Sequence, residues 1–182
     1  MKMLSFIREK AVVRVYLNKS RAYFRLITDI KSLKRIVISG VASGFTILIL
    51  YAISIASGYQ SIIGSFGASI FLLFAVPKSD FSQARNLIGG HFLASSLGVV
   101  FLMFFGVNFW LLPITLGLTV VGMQIFRVSH PPAASNPIII FFSEPSWSFI
   151  FIPTLVGAAT IAVIAFFYRK TISQGKWFNG DF

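Results

Sequence analysis

Between Ile36 and Tyr168 long apolar runs follow one another almost without charge, and nothing else in the chain constrains its fold as strongly. In the hydrocarbon of a bilayer no water is at hand for backbone N–H and C=O groups, so each run must satisfy its own. A run of the length seen here does so as an α-helix. Hydrophobic residues make up 56% of the 182 positions and charged residues 12%, which excludes an ordinary soluble domain. The expected fold class is an all-α, polytopic membrane protein, with room for one compact bundle and none for a separate catalytic domain. The chain has no cysteine, so disulfides, thiolate metal sites and cysteine nucleophiles are excluded.

The net charge of +11 would suit a nucleic-acid partner, but its distribution argues against one. Ten of the sixteen Lys and Arg residues precede Val37, where the cytoplasmic flank of a first span belongs. Within residues 1–35, Leu4, Ile7, Ala11 and Val15 recur near helical spacing, with Lys10, Arg14 and Arg21 between them. One reading is an amphipathic helix on the anionic inner leaflet; the other is a solvated anchor that sets topology. The charges continue through Arg35 without the short apolar core and cleavage site of a signal peptide. The organisation expected is a basic cytoplasmic or interfacial segment at 1–35, a transmembrane domain at 36–170 and a cytoplasmic tail at 171–182.

Six hydrophobic segments are expected at about 36–57, 61–76, 86–106, 109–126, 133–143 and 147–168. The first, third, fourth and sixth are long enough to span outright; the second and fifth are short, follow irregular sequence, and read as half-helical. Lys78, Asp80 and Arg85 follow the second segment, Arg127 the fourth, and Arg169, Lys170 and Lys176 the sixth. The links near 58–60 and 106–108 carry no charge, and that near 143–146 only Glu144. All basic links then lie on one side if both termini are cytoplasmic. A four-span count fits less well, because omitting one short segment moves Arg127 or the C-terminal cluster outside. Trp110, Trp147 and Tyr168 fall near the expected interfaces, as belt residues do.

One polar island breaks the apolar pattern: His130-Pro131-Pro132-Ala133-Ala134-Ser135-Asn136-Pro137. Each proline supplies no N–H and pushes its predecessor out of the helical region, so the island is no plain helix. Irregular backbone at membrane depth is tolerated only where protein buries it or it lines a cavity. The segment also aligns without gaps to an earlier one: Gly67-Ala68-Ser69-Ile70-Phe71-Leu72-Leu73-Phe74 against Ala133-Ala134-Ser135-Asn136-Pro137-Ile138-Ile139-Ile140. Each lies in the middle of three segments, and the two triplets start on opposite sides, which makes an inverted 3+3 repeat. Gly64-Ser65-Phe66-Gly67 would then enter from outside and His130-Pro131-Pro132 from inside. Their half-helix N-termini, with bare N–H groups and positive partial charge, would face each other as an anion-attracting site. Proline in the first helical turn suits that role.

The candidate substrate-binding residues are Ser65, Phe66, Gly67, Ala68, Ser69, His91, His130, Pro131, Pro132, Ala133, Ala134, Ser135 and Asn136, with Arg85 and Arg127 as charges at the cytoplasmic mouth. No Asp or Glu falls inside an expected span, so a cation path is disfavoured against an anion or a small neutral solute. Histidine is left as the obvious proton carrier if transport is proton-coupled.

Three ordered motifs, Gly64-Ser65-Phe66-Gly67-Ala68-Ser69, Arg85-Asn86-Leu87-Ile88-Gly89-Gly90-His91 and His130-Pro131-Pro132-Ala133, resemble the HPP family of integral membrane proteins. The resemblance covers roughly residues 36–170. It implies a small-anion transporter, with nitrite as the leading substrate, since members in photosynthetic organisms are linked to nitrite transport. The family occurs in bacteria and chloroplast envelopes, and a bacterial cytoplasmic membrane is the expected location. Family members usually continue with glycine-rich sequence after the prolines; here Ala133 and Ala134 follow, and their methyl groups would narrow a backbone-lined site.

Single residues carry two readings each. His91 either faces a cavity or is a packing histidine bonded to a carbonyl, with Gly89 and Gly90 letting a neighbour come close. His130 is either a site residue or an N-cap at the inner surface, and Arg85 and Arg127 also fit as ordinary anchors. Gly40 and Gly44 are expected to serve packing within the chain, a homo-oligomeric face being the other use. Two histidines without HExxH, HxxxH or intramembrane acids build no usual metal or acid–base site, so no enzyme, metal or cofactor is expected. The partners expected are a small anion and the lipid bilayer, with no nucleic acid. Alternatives to anion transport are a channel for a small neutral solute such as water or ammonia, and a non-transporting membrane scaffold.

Overall fold

The structure, a computed structural model, describes residues 30–172, and every regular element among them is helical. Six α-helices follow in order: α1 Ile30–Ser57, α2 Ile63–Ala75, α3 Ala84–Phe105, α4 Leu111–Ile125, α5 Asn136–Ser143 and α6 Val156–Ile172. Short 3₁₀ turns at Gln60–Ile62, Asp80–Ser82, Pro131–Ser135 and Trp147–Ile150 lie between them. The chain divides into two compact units, Met1–Ser39 and Gly40–Phe182. In the first, the described residues open α1. The amphipathic reading of the N-terminal segment falls mostly on residues outside those described, as does the tail beyond Ile172.

The helix ends follow local chemistry. Gly58 and Gly106, with φ of 78° and 69°, close α1 and α3 in the left-handed region that glycine enters without a Cβ penalty. Gly106 N donates to Leu102 O at 2.8 Å. Arg127 takes the same role after α4 with φ 54°, and Glu144 after α5 with φ 43°, where Pro145 then prevents continuation.

Among the described residues three helical stretches are long and apolar enough to cross a membrane: Leu33–Ser57, Ala84–Phe105 and Trp147–Lys170. The fourth segment, expected to span outright, is shorter than that. Asn108 accepts Trp110 N–H on its side chain at 3.0 Å, a cap that opens a turn leading into α4, whose regular part from Leu111 to Ile125 has 15 residues. At 1.5 Å per residue such a helix covers about 22 Å of a hydrocarbon core about 30 Å thick. The sixth segment has the spanning length expected, as Trp147–Lys170, but is not regular throughout. Ile152, held extended before Pro153 (φ −125°, ψ 115°), breaks it into a 3₁₀ turn, a π-turn at Phe151–Leu155 and α6.

Within the second unit α3 is the central helix. Its Leu87, Gly90, His91, Ala94, Ser95, Gly98, Val99 and Leu102 are buried at alternating steps of three and one, a single helical stripe. Leu87 and Val99 join Phe66, Leu73 and Phe74 of α2, Ile140 of α5, Phe149, and Ile161 and Ala165 of α6 in one apolar core. Gly98 lets α5 approach, since a Cβ there would lie 2.7 Å from Ile140 Cδ1 and 3.3 Å from Pro137 Cα. Among the described residues nothing lies within 4 Å of where a β-carbon on Gly40 or Gly44 would stand, so neither makes the expected close packing contact with them. On α1 the side chains of Val41, Phe45, Leu48, Tyr51 and Ile55 are exposed, while Thr46, Leu50 and Ser54 form its narrow buried stripe.

Candidate functional site

Seven of the buried polar side chains meet around α3. His91 and Ser95, four residues apart, share its buried stripe. Ser65 and Ser69, also four apart, point inward from α2. His130 ends the link from α4, and Asn136 opens α5 after the Pro131–Ser135 turn. Thr154 comes from the break before α6. Ser69, His91, Ser95, His130, Asn136 and Thr154 have no solvent exposure, and Ser65 almost none. Gly90 makes the convergence sterically feasible: a Cβ there would sit 2.8 Å from His130 Cβ and 3.0 Å from Val128 O.

These groups are hydrogen-bonded into one chain whose polarity can be deduced. The His130 Nδ1 lies 2.8 Å from Phe81 O, a carbonyl that only accepts, so Nδ1 carries the hydrogen. In neutral His130 the other nitrogen, Nε2, is an acceptor, and the Ser69 hydroxyl donates to it at 2.9 Å. Having spent its one hydrogen, Ser69 Oγ accepts from His91 Nε2–H, also at 2.9 Å. His91 Nδ1 is then an acceptor, matched by Asn136 Nδ2–H at 3.1 Å. The second Nδ2 hydrogen goes to Ser95 Oγ at 2.8 Å, and Ser95 is 3.1 Å from Thr154 Oγ1. Asn136 Oδ1 accepts the Ser65 hydroxyl at 2.7 Å. Both imidazoles are satisfied while neutral, His130 as the Nδ1–H tautomer and His91 as Nε2–H.

The network has rigid supports. The Asp80–Ser82 turn that presents the Phe81 carbonyl is tied by Ser82 Oγ to Leu72 O and Val76 O at 2.9 and 2.8 Å. Asn86 Nδ2 donates to Asp80 O at 2.8 Å, and the buried Arg169 reaches Ser82 O at 3.4 Å. The His91 ring lies edge-on to Phe66 at 5.1 Å between centroids and 5.2 Å from the His130 ring.

Of the residues singled out in the sequence, Ser65, Ser69, His91, His130 and Asn136 come together. Phe66 joins them through its ring, and Pro132 through its carbonyl, 3.0 Å from Ser65 Oγ. Ala133 is buried where α3 and α4 meet the turn, beside Ala94 and Met123. Ala134 is half-buried. Gly67, Ala68 and Pro131 are exposed, as are Arg85 and Arg127. The aligned serines have different surroundings: Ser69 lies in the middle of α2 between two imidazoles, whereas Ser135 ends a 3₁₀ turn and donates to Pro132 O at 2.7 Å. Where the sequence suggests bare N–H groups facing one another, the starts of α2 and α5 are joined by side chains, Ser65 to Asn136. Ser95 and Thr154 were not singled out. The signal for Ser95 is its place one turn after His91; for Thr154 it is the preceding Pro153.

Chemically this is a neutral, carboxylate-free set of hydroxyls, imidazoles and one carboxamide inside an apolar bundle. Among the described residues no group of three or more His, Cys, Asp or Glu is placed to hold a metal ion.

Comparison with known proteins sets the chain among transmembrane proteins. Residues 28–178 match the model of the HPP transmembrane region. A transmembrane protein of Dictyostelium discoideum is 36% identical over 71% of this chain and 50% of its own length. A second transmembrane protein of that organism is 28% identical over 71% of this chain and 44% of its own length. The chain thus spans about half the length of the curated relatives it matches. No solved structure matches it. With its apolar membrane-length helices and this match over most of its length, the chain is a multi-pass membrane protein that belongs to the HPP transmembrane family.

Proposed function

We propose that the protein carries a small inorganic anion across a bacterial cytoplasmic membrane, with nitrite the leading substrate, through the polar centre formed by Ser65, Ser69, His91, His130 and Asn136. The observation that carries this reading is a buried, carboxylate-free hydrogen-bond network at the meeting of broken helical segments. Polar groups inside a membrane bundle are costly and mark solute pathways. Donor-rich side chains without acids favour an anion over a cation. In this reading all six segments enter the bilayer as an inverted 3+3 arrangement, both termini are cytoplasmic, and the basic N-terminal segment rests on the anionic leaflet. The solute passes chemically unchanged, so no catalysis or cofactor is involved.

Purified protein in liposomes should conduct nitrite, and His130→Ala or a bulky Ser69→Phe should reduce that flux severalfold. Flux equal to wild type in both variants would remove the site. The neutrality of the network favours one second reading, a channel for a small neutral solute. Dependence of the flux on membrane potential separates the two, because an uncoupled neutral solute carries no charge.

A further inference from the structure

The Ser69 hydroxyl has a choice of acceptors, and that choice gives the network more than one complete state. Ser69 Oγ is 2.9 Å from His130 Nε2, 2.9 Å from His91 Nε2 and 3.1 Å from Ser65 O. When His130 gains a proton on Nε2, that N–H donates to Ser69 Oγ, and the Ser69 hydrogen swings to the Ser65 carbonyl. No donor or acceptor loses its partner.

A proton on His91 Nδ1 is also accommodated. Turning the Asn136 carboxamide over brings Oδ1 to accept from His91 Nδ1–H and from Ser95. Its Nδ2 then donates to Ser65 Oγ, whose hydrogen moves to Pro132 O at 3.0 Å, and Thr154 donates to Ser95.

Two protons at once are a different matter. The rings stand 5.2 Å apart, and no carboxylate side chain lies in the network to offset paired charges. Neither α2, α4, the Pro131–Ser135 turn nor α5 carries a titratable side chain. On α3 the other charged group is Arg85, exposed; on the Asp80–Ser82 turn it is Asp80, exposed; on the link before His130 it is Arg127, exposed. On α6, Tyr168 packs against Phe74, Arg169 reaches Ser82 O and Lys170 is exposed.

We propose that His91 and His130 together bind a single proton, exchanged through Ser69, and that this proton travels with the anion. The second half rests on the transport reading above. The exchange balances: with Asn136 turned over and His91 protonated on Nδ1 alone, the His130 Nε2–H bond breaks as Ser69 Oγ takes that hydrogen. The former Ser69 hydrogen forms a bond to His91 Nε2. The imidazolium moves from one ring to the other and no further charge is created. A monovalent anion beside one imidazolium is electrically neutral as a pair, which lowers the cost of holding either in a low-dielectric bundle.

The chain contains two histidines, so ¹⁵N-histidine labelling of the full chain in lipid nanodiscs, free of any affinity tag, reports on this pair alone. At about pH 8 His130 should read as the Nδ1–H tautomer and His91 as Nε2–H, and as the pH is lowered stepwise to about 3 both signals should move together as one proton is taken up. Ser69→Ala should uncouple the two rings and Ser69→Thr should restore the coupling. The wild-type tautomers and joint titration test the network even if Ser69→Ala fails to fold. Rings that stay neutral, or that titrate independently in the wild type, overturn the proposal. In proteoliposomes, with empty vesicles as the control for permeation of nitrous acid, a nitrite gradient should drive proton movement read by an internal pH dye. Joint titration without nitrite flux keeps the proton site and overturns the anion reading. Nitrite flux with silent histidines does the reverse.

Discussion

Gly90 lies so near His130 that a β-carbon at position 90 would come within 2.8 Å of His130 Cβ. The absent side chain is what allows α3 and the HPP turn to share one polar centre. Gly90→Ala should therefore displace His130 and cost about 1–3 kcal/mol, the usual cost of overpacking. Gly117→Ala on α4, where a Cβ meets nothing within 4 Å, should leave the melting temperature in detergent unchanged or raise it. Equal melting temperatures for the two variants would contradict the close approach.

Gly67 separates the family motif from the site. It is exposed in the middle of α2 with open space around it. Gly67→Ala is expected to preserve solute flux and to stabilise the helix by about 0.5–1 kcal/mol. A large loss of flux in proteoliposomes would mean that the exposed face of α2, rather than the Ser65–Ser69 face, meets the solute.

Ser95 and Thr154 tie the break before α6 to the central helix across 3.1 Å. A double-mutant cycle of Ser95→Ala and Thr154→Val should return a coupling of about 0.6 kcal/mol and no more than about 1.7, the range measured for interhelical hydrogen bonds in membranes. Reversible unfolding in mixed micelles measures it; perfect additivity would show the contact to be incidental.

Asn136 makes three hydrogen bonds, to Ser65, His91 and Ser95. Asn136→Ala leaves His91 Nδ1 and the Ser65 hydroxyl to find other partners, and should cost about 1–3 kcal/mol. In the ¹⁵N-histidine spectrum His91 should lose its single tautomer and populate both. An unchanged His91 signal would mean that Asn136 does not orient the ring.

Among the glycines of the described residues, Gly157 has the least room for a side chain, because the Phe66 ring fills the space a β-carbon there would occupy. Gly157→Ala should lower the melting temperature, and adding Phe66→Leu should recover part of the loss. A double variant as unstable as the sum of the singles would place the damage elsewhere.

Much of the segmentation was legible beforehand because it depends on local properties. The run expected at 61–76 is the helix Ile63–Ala75, and that expected at 86–106 is the helix Ala84–Phe105, each within two residues at either end. Apolar length, glycine after the last turn and proline before a break act within a few residues. The fourth segment is regular only from Leu111 to Ile125, because its first residues form a turn under the Asn108 cap and Phe126 falls outside its last turn, details to which hydropathy is blind. The aligned Ser69 and Ser135 differ because a small-Ala-Ser pattern does not say which way a hydroxyl points.

The residues alone determined that this chain is helical and membrane-embedded, and they put forward a few hydroxyls, two histidines and an asparagine as candidates for a polar centre. That follows from the cost of leaving backbone or charge unsatisfied in hydrocarbon, a cost each segment meets by itself. Tertiary structure decided which of these groups meet. Ser65 finds Asn136 at 71 positions' distance, His130 finds Ser69 at 61, and Ser95 finds Thr154 at 59. Such partners are selected by the rotation of each helix about its axis and by how near its glycines let a neighbour come. Only the packed bundle determines these.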